Sequence, residues 1–167
     1  MQEIVTKVNA SDIFIREAKQ SDFDSFIKVF SIVEEFHRIN LDRKFKKPEV
    51  LFSKEEFNSM VKDNNTKIYL ACFWELVVWI LLAYVKRQKD KPVLKDRTYI
   101  DIDSICVLDE YRNLWIWKML LSKIEDRAKN NNILDIQLNV REFNKNAKNF
   151  YLNSWFDSVS STMRKTL

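Results

Sequence analysis

The sequence contains no glycine, although it has 167 residues. Glycine makes up about 7% of average proteins, so a chain of this length would carry roughly a dozen. Proteins use glycine where the backbone needs a positive φ or where a ligand approaches the main chain closely. Other residue types must therefore occupy any such positions in this chain.

The chain is also poor in residues that bind metals or form cross-links. Its two cysteines, Cys72 and Cys106, lie in apolar, strand-like runs, where cysteine usually serves as a small core residue. His37 is the only histidine, so we expect neither a disulfide framework nor a zinc site. The interpretation is a protein that holds no metal.

No apolar run is long enough to cross a bilayer. The longest, LVVWILLAYV at 76–85, falls well short of the roughly 20 residues that a spanning helix needs. The first residues, MQEIVTKVNASD, lack the apolar region of a signal peptide. These features predict a cytoplasmic protein with no membrane partner.

The residues that are present describe one globular domain. Hydrophobic residues make up 46% of the chain and charged residues 31%, a balance typical of folded proteins. The net charge of +4 favours a solvated lysine-rich surface over a nucleic-acid site, because no nucleic-acid-binding motif is present. We expect no nucleic-acid partner, and either a monomer or a homodimer.

Hydrophobic periodicity predicts alternating strands and helices in the first half. IFIREA at 13–18 predicts a strand, and apolar residues at helical spacing predict a helix over about 23–37. Ser53 and Glu56 have the spacing of a capping box, which predicts the start of a second, short helix. This part of the chain is therefore expected to read strand, helix, helix.

A hairpin and a further strand are predicted next. KIYLACF and LVVWILLAYV read as two strands joined at Trp74 and Glu75. A two-residue hairpin turn normally takes Gly, Asn or Asp, since it needs positive φ, so tryptophan is unexpected there. YIDIDSICVL at 99–108 predicts a fourth strand.

The second half continues the alternation and sets the fold class. Apolar spacing predicts a helix over about 116–128, a strand over 134–140 and a helix that begins near Asn144. The last residues, 156–167, are predicted to form one or two closing strands. Strand runs mixed with βαβ units indicate an α+β, or mixed α/β, domain.

The stretch 99–156 resembles the core of the GNAT acetyltransferase superfamily. Its most specific part is a strand, Arg112, a helix, a strand and then NKNAKNFY with a hydrophobic terminal strand, and the likeness extends over 13–167. The resemblance implies a central mixed, mostly antiparallel sheet that is splayed between strands 4 and 5 and flanked by about four helices. It also implies that residues 1–12 are an N-terminal extension and 13–167 the N-acetyltransferase domain.

The family carries Arg or Gln, two free positions, Gly, one free position, and then Gly or Ala. Arg112 fits, whereas Trp115 and Trp117 stand at the two small positions. The resemblance implies that a diphosphate settles here on free amides at the start of a helix, where the helix dipole is positive. An indole at both positions should fill that space.

The other three tryptophans also match positions where the family has glycine. They are Trp74 in the hairpin, Trp79 in the third strand and Trp155 after the last helix. Our hypothesis is that codons for glycine have been read as tryptophan, because a reassigned UGA means glycine in some genetic codes and tryptophan in others. The alternative is genuine tryptophan in a divergent or engineered core.

The resemblance implies roles for two backbone segments in holding acetyl-CoA, which serves as co-substrate. On the fourth strand, main-chain groups would hold the pantetheine arm and the thioester carbonyl, in the manner of an added strand. Further on, the loop and first helical turn would cradle the diphosphate. The residues concerned are Ile105, Cys106 and Val107 in the first segment, and Arg112, Asn113, Leu114, Trp115, Ile116, Trp117 and Lys118 in the second.

Tyr151 and Asn144 are the residues of the last helix to which the resemblance gives a role. Tyr151 would protonate the departing CoA thiolate, which a phenol with a pKa of about 10 can do when it is held close to the sulfur. The alternative for Tyr151 is a packed aromatic residue. Asn144 would cap the helix or bond to the CoA arm, and capping alone explains it adequately.

The general base is assigned to the acids of the fourth strand. Some family members place a carboxylate at the position of Asp101, and Asp103 lies two residues further along the same strand face. The alternatives are an exposed strand edge or ion pairing with the lysine-rich loop that precedes the strand, and a chain of water molecules could instead serve as the relay.

The resemblance predicts an enzyme that transfers an acetyl group from acetyl-CoA to a primary amine by direct attack in a ternary complex. No strong nucleophile is evident, since Cys106 has no histidine nearby in the sequence. The acceptor would lie over the loop at 37–45 and the segment after the third strand. The alternative function is a catalytically inactive acyl-CoA-binding sensor or interaction module.

Overall fold

The computed structural model of the chain describes residues 12–40, 48–108, 111 and 114–165, with Leu114 described in its backbone alone. These residues form five strands, four α-helices and a 3-10 turn at Gln20–Asp22. The strands are β1 (Ile13–Glu17), β2 (Thr66–Phe73), β3 (Leu76–Gln88), β4 (Arg97–Val107) and β5 (Asp135–Leu138). The helices are α1 (Phe23–Asn40), α2 (Lys54–Lys62), α3 (Leu114–Asn130) and α4 (Lys145–Leu152).

The strands form one mixed sheet in the order β1-β2-β3-β4-β5. Neighbours are antiparallel from β1 to β4, while β4 and β5 run parallel on either side of α3. Every residue from Val77 to Ala83 in β3 is buried, which means that both faces of the sheet are covered. The predicted α+β class, with a mixed and mostly antiparallel sheet and four helices, is confirmed.

The capping box predicted at Ser53 is present and fixes the start of α2. The Ser53 hydroxyl accepts a hydrogen bond of 3.1 Å from the Glu56 backbone N–H, and the Glu56 carboxylate accepts one of 2.7 Å from the Ser53 backbone N–H. These bonds satisfy two backbone donors that a helix start would otherwise leave exposed. The predicted hairpin is also present, with Trp74 and Glu75 between β2 and β3.

Phenylalanine side chains join α1 and α2 over the sheet. Phe26 and Phe57 are fully buried with ring centroids 4.9 Å apart, and Phe30 and Phe52 extend the cluster. Burying each such ring stabilises the fold by about 1.5–3 kcal/mol. Because α1 also contacts β3 and β4, this cluster fixes α1 against the centre of the sheet.

The closing strands predicted over 156–167 are wrong for the residues that the structure describes there. Residues 156–165 have no regular secondary structure, and Val159 and Met163 are almost fully exposed. A half-buried strand needs apolar residues at every second position. These two lie four apart with polar residues between them, so neither strand face would be apolar enough to add to the sheet.

Within the described part of the chain, no helix combines the length and the apolar composition needed to cross a membrane.

Candidate active site

The sheet opens between β4 and β5, as the resemblance predicted. The two strands pair from Tyr99–Asp135 to Ile102–Leu138, whereas β4 continues to Val107. Among the described residues, the end of β4 therefore has a ladder partner only on the β3 side. The predicted backbone-contact residues lie on this open stretch: Ile105, Cys106 and Val107.

A β-bulge at Asp103 marks the point where the strands separate. Ile102 pairs with Ala83 and Ser104 pairs with Leu82, so Asp103 is the extra residue without a partner on β3. Bulges bend a strand and re-aim its side chains, and they are frequent beside active sites. The bulge thus explains why β4 leaves β5 after Ile102, and why the Asp103 side chain is exposed.

The two predicted base candidates are in different surroundings. The Asp101 carboxylate forms an ion pair with Lys86 at the end of β3, which is the alternative weighed for it from the sequence. Asp103 instead accepts a hydrogen bond of 2.8 Å from the neighbouring Ser104 hydroxyl. Asp103 is therefore the acid that a positively charged partner could reach more readily.

Tyr151 on the last helix lies within electrostatic range of Cys106 on β4. The Tyr151 ring packs edge-on to Phe150 and Phe156, with centroid distances of 4.9 and 5.6 Å. Burial raises the pKa of Tyr151 to about 12. The phenol therefore stays protonated across the ordinary pH range and can act as a proton donor.

Cys106 itself is unsuited to nucleophilic chemistry. Its side chain is fully buried, and burial raises its thiol pKa above the usual range, with the charges of Glu34 and Asp103 acting in the same direction. A nucleophilic cysteine needs the opposite, a lowered pKa and some exposure. These surroundings therefore argue against a cysteine-bound intermediate at Cys106.

Sequence reasoning missed Glu34 and His37 of α1 as site residues. Glu34 acts electrostatically on β4, because it contributes to the raised pKa of Cys106. Burial lowers the pKa of His37, and Arg141 acts in the same direction, while Glu34 and Asp103 oppose it. One signal was available in the sequence. Glu34 follows the buried Phe30 by four residues, a spacing that places it on the same inward face of a helix.

An aromatic group lies beside these charges. The rings of Phe36 and Phe143 are 5.6 Å apart, and His37 lies 6.2 and 6.4 Å from them, measured between centroids. Phe143 belongs to the segment that joins β5 to α4, so this contact connects α1 with the far side of the gap. Carboxylates and aromatic faces both attract organic cations, and Glu34, Phe36 and His37 are near neighbours on α1.

The predicted diphosphate segment is described only from the start of α3. Arg112 and Asn113 lie outside the described residues, and Leu114 is the first residue of the helix. Trp115 is partly buried against the core, Ile116 is fully buried, and Trp117 is 9% exposed. Lys118 is exposed, with its Nζ 5.6 Å from the centroid of the Trp117 ring.

Trp117 is poorly accommodated in this place. Its indole Nε1 is buried without a hydrogen-bond partner. The centroids of its ring and of Phe150 are 3.7 Å apart at an interplanar angle of 82°, although aromatic pairs prefer about 4.5–7 Å. A diphosphate on first-turn amides needs side chains that leave the backbone bare, so Trp115 and Trp117 do not fit that ligand.

Asn144 acts as the cap of α4. Its side-chain oxygen accepts a hydrogen bond of 3.2 Å from the Ala147 backbone N–H. This bond orients the helix that carries Tyr151, and it satisfies one free donor of the first turn. The capping role predicted for Asn144 is therefore present, independently of any contact with a ligand.

Comparison with protein families gives one match, the acetyltransferase (GNAT) family, whose model aligns with residues 30–154. No curated protein sequence matches the chain. The aligned span includes α2, α3, α4 and the strands β2 to β5, together with most of α1. It therefore contains the gap between β4 and β5 and the whole candidate site.

Several solved structures share the fold at low sequence identity. The BH1408 protein from Bacillus halodurans superimposes with a TM-score of 0.85 at 22% identity, covering 92% of this chain and 99% of that one. An aminoglycoside acetyltransferase from an uncultured soil metagenomic sample gives 0.70 at 16%, covering 95% and 98%. A ribosomal-protein-alanine N-acetyltransferase from Brucella melitensis biovar Abortus 2308 gives 0.66 at 15%, covering 93% and 99%.

Proposed function

The chain belongs to the acetyltransferase (GNAT) family, and from that premise we propose that it transfers an acetyl group from acetyl-CoA to a primary amine. The family supports acyl transfer in general. The observation that carries the finer proposal is the open stretch of β4, with Tyr151 within electrostatic range of Cys106 on that stretch. A thioester laid along that stretch would bring its sulfur towards a half-buried, protonated phenol.

The proposed reaction is direct transfer between two bound substrates. Asp103 accepts a proton from the acceptor ammonium, and the freed amine nitrogen forms a bond to the thioester carbonyl carbon. Main-chain groups of Ile105, Cys106 and Val107 support the oxygen that becomes negative. Tyr151 gives its proton to the sulfur as the carbon–sulfur bond breaks. The nitrogen, positively charged after the attack, loses its second proton through solvent to the phenolate, and Asp103 releases the first proton to solvent.

The acceptor is proposed to be a cation before it reacts. Glu34 on α1 and Asp103 on β4 both act electrostatically on Cys106, and Phe36, which follows Glu34 on α1, contacts Phe143. Carboxylates attract an ammonium group, and aromatic faces bind organic cations. These features favour an amine whose carbon skeleton is short or flat enough to lie against the two rings.

Both small molecules and proteins remain acceptor candidates. One structural neighbour is named for aminoglycosides and another for the alanine of a ribosomal protein, and both share this fold. The fold therefore accommodates both kinds of amine. In this chain the choice between small-molecule and protein acceptors would depend on the acidic and aromatic side chains discussed above, Glu34, Asp103, Phe36 and Phe143.

A thiol-release assay tests the proposal. Acetyl-CoA would be incubated with polyamines, aminoglycosides and peptides with free amino termini, using the chain as written and a Trp115→Gly/Trp117→Gly variant. We expect the variant to release CoA thiol at a rate that depends on the amine, with a mass increase of one acetyl group on the acceptor. Saturable binding of acetyl-CoA with no release for any amine would contradict the proposal.

The alternative is a catalytically inactive acyl-CoA-binding sensor or interaction module. The observation in its favour is the pair of tryptophans at the start of α3, which a working diphosphate site would not be expected to carry. Binding without turnover in the same assay would support this alternative. Turnover by either protein would exclude it.

A further inference from the structure

Four residues other than glycine have left-handed backbone conformations in the described part of the chain. They are Trp74, Asp90, Asn132 and Trp155, with φ of 54°, 55°, 53° and 65°. Aspartate and asparagine tolerate this region because their short polar side chains can bond to the backbone nearby. Tryptophan has no such compensation, so two of the four positions carry a residue that is unfavourable there.

Neither of these tryptophans gains anything from packing that would offset the strain. The Trp74 side chain is 75% exposed and that of Trp155 is 96% exposed. An indole normally stabilises a protein by burial, so an exposed indole on a strained backbone is unfavourable in two respects. Glycine would relieve the strain at both positions and would leave no large apolar surface in water.

Two further tryptophans lie where glycine has a structural reason. The pairing of β2 with β3 shifts between Ala71 and Cys72, opposite Trp79 and Val77, and glycine inside a strand commonly marks such a bulge. Trp117 is crowded against Phe150 and leaves its indole nitrogen without a partner. Trp79 is better accommodated, because its indole donates a hydrogen bond of 2.8 Å to the Tyr111 carbonyl.

We infer that the native protein carries glycine, not tryptophan, at positions 74, 79, 115, 117 and 155. Several observations support the inference. The sequence has no glycine, and two tryptophans, at 74 and 155, are strained and exposed. A third, at 79, lies beside a bulge, and a fourth, at 117, is buried and crowded. A UGA codon that the source organism reads as glycine would produce all five at once. This backbone argument is independent of the proposed function.

One consequence does rest on the proposed function. With glycine at 115 and 117, the first turn of α3 offers bare amides next to the open end of β4, and an indole no longer presses on Phe150 beside Tyr151. The same substitution that relieves crowding therefore creates the room that a diphosphate requires. The tryptophans at 74, 79 and 155 have no part in that consequence.

The first test reads the residues directly. The codons at the five positions in the gene, and the masses of peptides from protein purified from its natural source, identify the residues without any assay of activity. We expect UGA codons and glycine masses at all five. TGG codons, or tryptophan masses, would overturn the inference whether or not the protein transfers an acetyl group.

The second test measures the backbone strain itself. Trp74→Gly and Trp155→Gly are compared with Asp90→Gly and Asn132→Gly in thermal unfolding, using the full chain. We expect each tryptophan variant to raise Tm by at least about 2–4 °C, while the two controls shift it by less. A fall in Tm for both tryptophan variants would overturn the backbone argument. If glycine is present but no amine is acetylated, only the proposed function fails.

Discussion

Helices α3 and α4 end in the same backbone motif but carry very different residues at its left-handed position. At the end of α3 the Ile133 N–H bonds to the Ala128 carbonyl at 2.9 Å, and the Asn132 N–H bonds to the Lys129 carbonyl at 3.2 Å. This pair of bonds is the Schellman motif, in which the residue after the cap has a positive φ. Asn132 is the common substitute for glycine there.

At the end of α4 the corresponding residue is Trp155. The Phe156 N–H bonds to the Tyr151 carbonyl at 3.1 Å, and the Trp155 N–H bonds to the Leu152 carbonyl at 3.3 Å. The backbone of this helix end therefore satisfies its last carbonyls just as α3 does, although its residue is among the least suited to the position. The fold therefore imposes the left-handed turn at both helix ends, and at position 155 the residue type does not match it.

The two helix ends also differ in their importance for the site. The carbonyl that Phe156 contacts belongs to Tyr151, the proposed acid. The end of α3 instead leads to β5 and is the opposite end of that helix from its start beside β4. Strain at position 155 therefore acts on the turn that holds Tyr151. Strain at position 132 would act only on the connection to β5.

The largest effect is expected from Tyr151→Phe. In the Trp115→Gly/Trp117→Gly chain, kcat should fall by about 100-fold or more, because the thiolate loses its proton donor. Steady-state kinetics with the best amine would measure the loss. Tyr99→Phe on β4 is the matched control and should leave kcat unchanged. An unchanged kcat for Tyr151→Phe would contradict the role of Tyr151 as the proton donor.

The pH dependence of kcat tests whether the Tyr151 phenol is held in its protonated form. Burial raises the pKa of Tyr151 to about 12, so the phenol keeps its proton well above the usual titration range of tyrosine. We therefore expect that titration of Tyr151 causes no fall in kcat between pH 8 and roughly 11. Over that range the pH profile of Tyr151→Phe should have the same shape as that of its parent. An alkaline loss centred near pH 10 that disappears in Tyr151→Phe would show that the phenol is not held in its protonated form.

Trp155→Gly should stabilise the protein by about 1–2 kcal/mol, since that is the cost of a left-handed residue with a Cβ. Trp155→Ala keeps the Cβ and should recover little of this free energy. Asn132→Gly at the end of α3 should change the stability by only a few tenths of a kcal/mol. Chemical denaturation of the three variants would measure the differences. Equal changes in the free energy of unfolding for Trp155→Gly and Asn132→Gly would contradict the expected difference between the two helix ends.

Glu34→Gln should raise the KM for a cationic amine by about tenfold, which corresponds to roughly 1.4 kcal/mol of lost attraction. The neighbouring Glu35 is exposed and forms an ion pair with Arg38, so Glu35→Gln is the matched control. The KM for acetyl-CoA should not change in either variant. If both glutamate variants gave the same KM for the amine, α1 would have no part in binding the acceptor.

The smallest effect is expected in the hairpin. Trp74→Gly should stabilise the protein by about 1 kcal/mol, because it removes a strained residue from a two-residue turn. Asp90, the other left-handed residue outside the helix ends, is the control, and Asp90→Gly should have an effect within a few tenths of a kcal/mol. A destabilised Trp74→Gly would indicate that the exposed indole has a packing role.

Local patterns in the sequence were enough to predict most of the fold. Two apolar runs separated by Trp74 and Glu75 predicted β2 and β3, and the spacing of Ser53 and Glu56 predicted the start of α2, because these features depend on neighbouring residues alone. The closing strands were predicted from the last residues of the sequence without an apolar alternation to support them. That prediction failed where the pattern was weakest, at residues 156–165.

The site was less accessible to prediction than the fold. The bulge at Asp103 depends on how β4 pairs with β3, and the approach of Glu34 depends on how α1 crosses the sheet, so both arise from contacts between distant segments. The positive φ at Trp74 and Trp155 agrees with the glycine-like positions that the resemblance indicated. In these two cases the absence of one residue type was the most informative signal.

The central claim is that the start of α3 can hold a diphosphate only when its small positions are glycine. Calorimetric titration of acetyl-CoA into the chain as written and into the Trp115→Gly/Trp117→Gly variant tests it most directly, with Asn132→Gly as the control at the other end of the helix. We expect at least about 100-fold tighter binding, or about 2.7 kcal/mol, for the double variant alone. Equal affinity for the chain as written and for the double variant would contradict the claim.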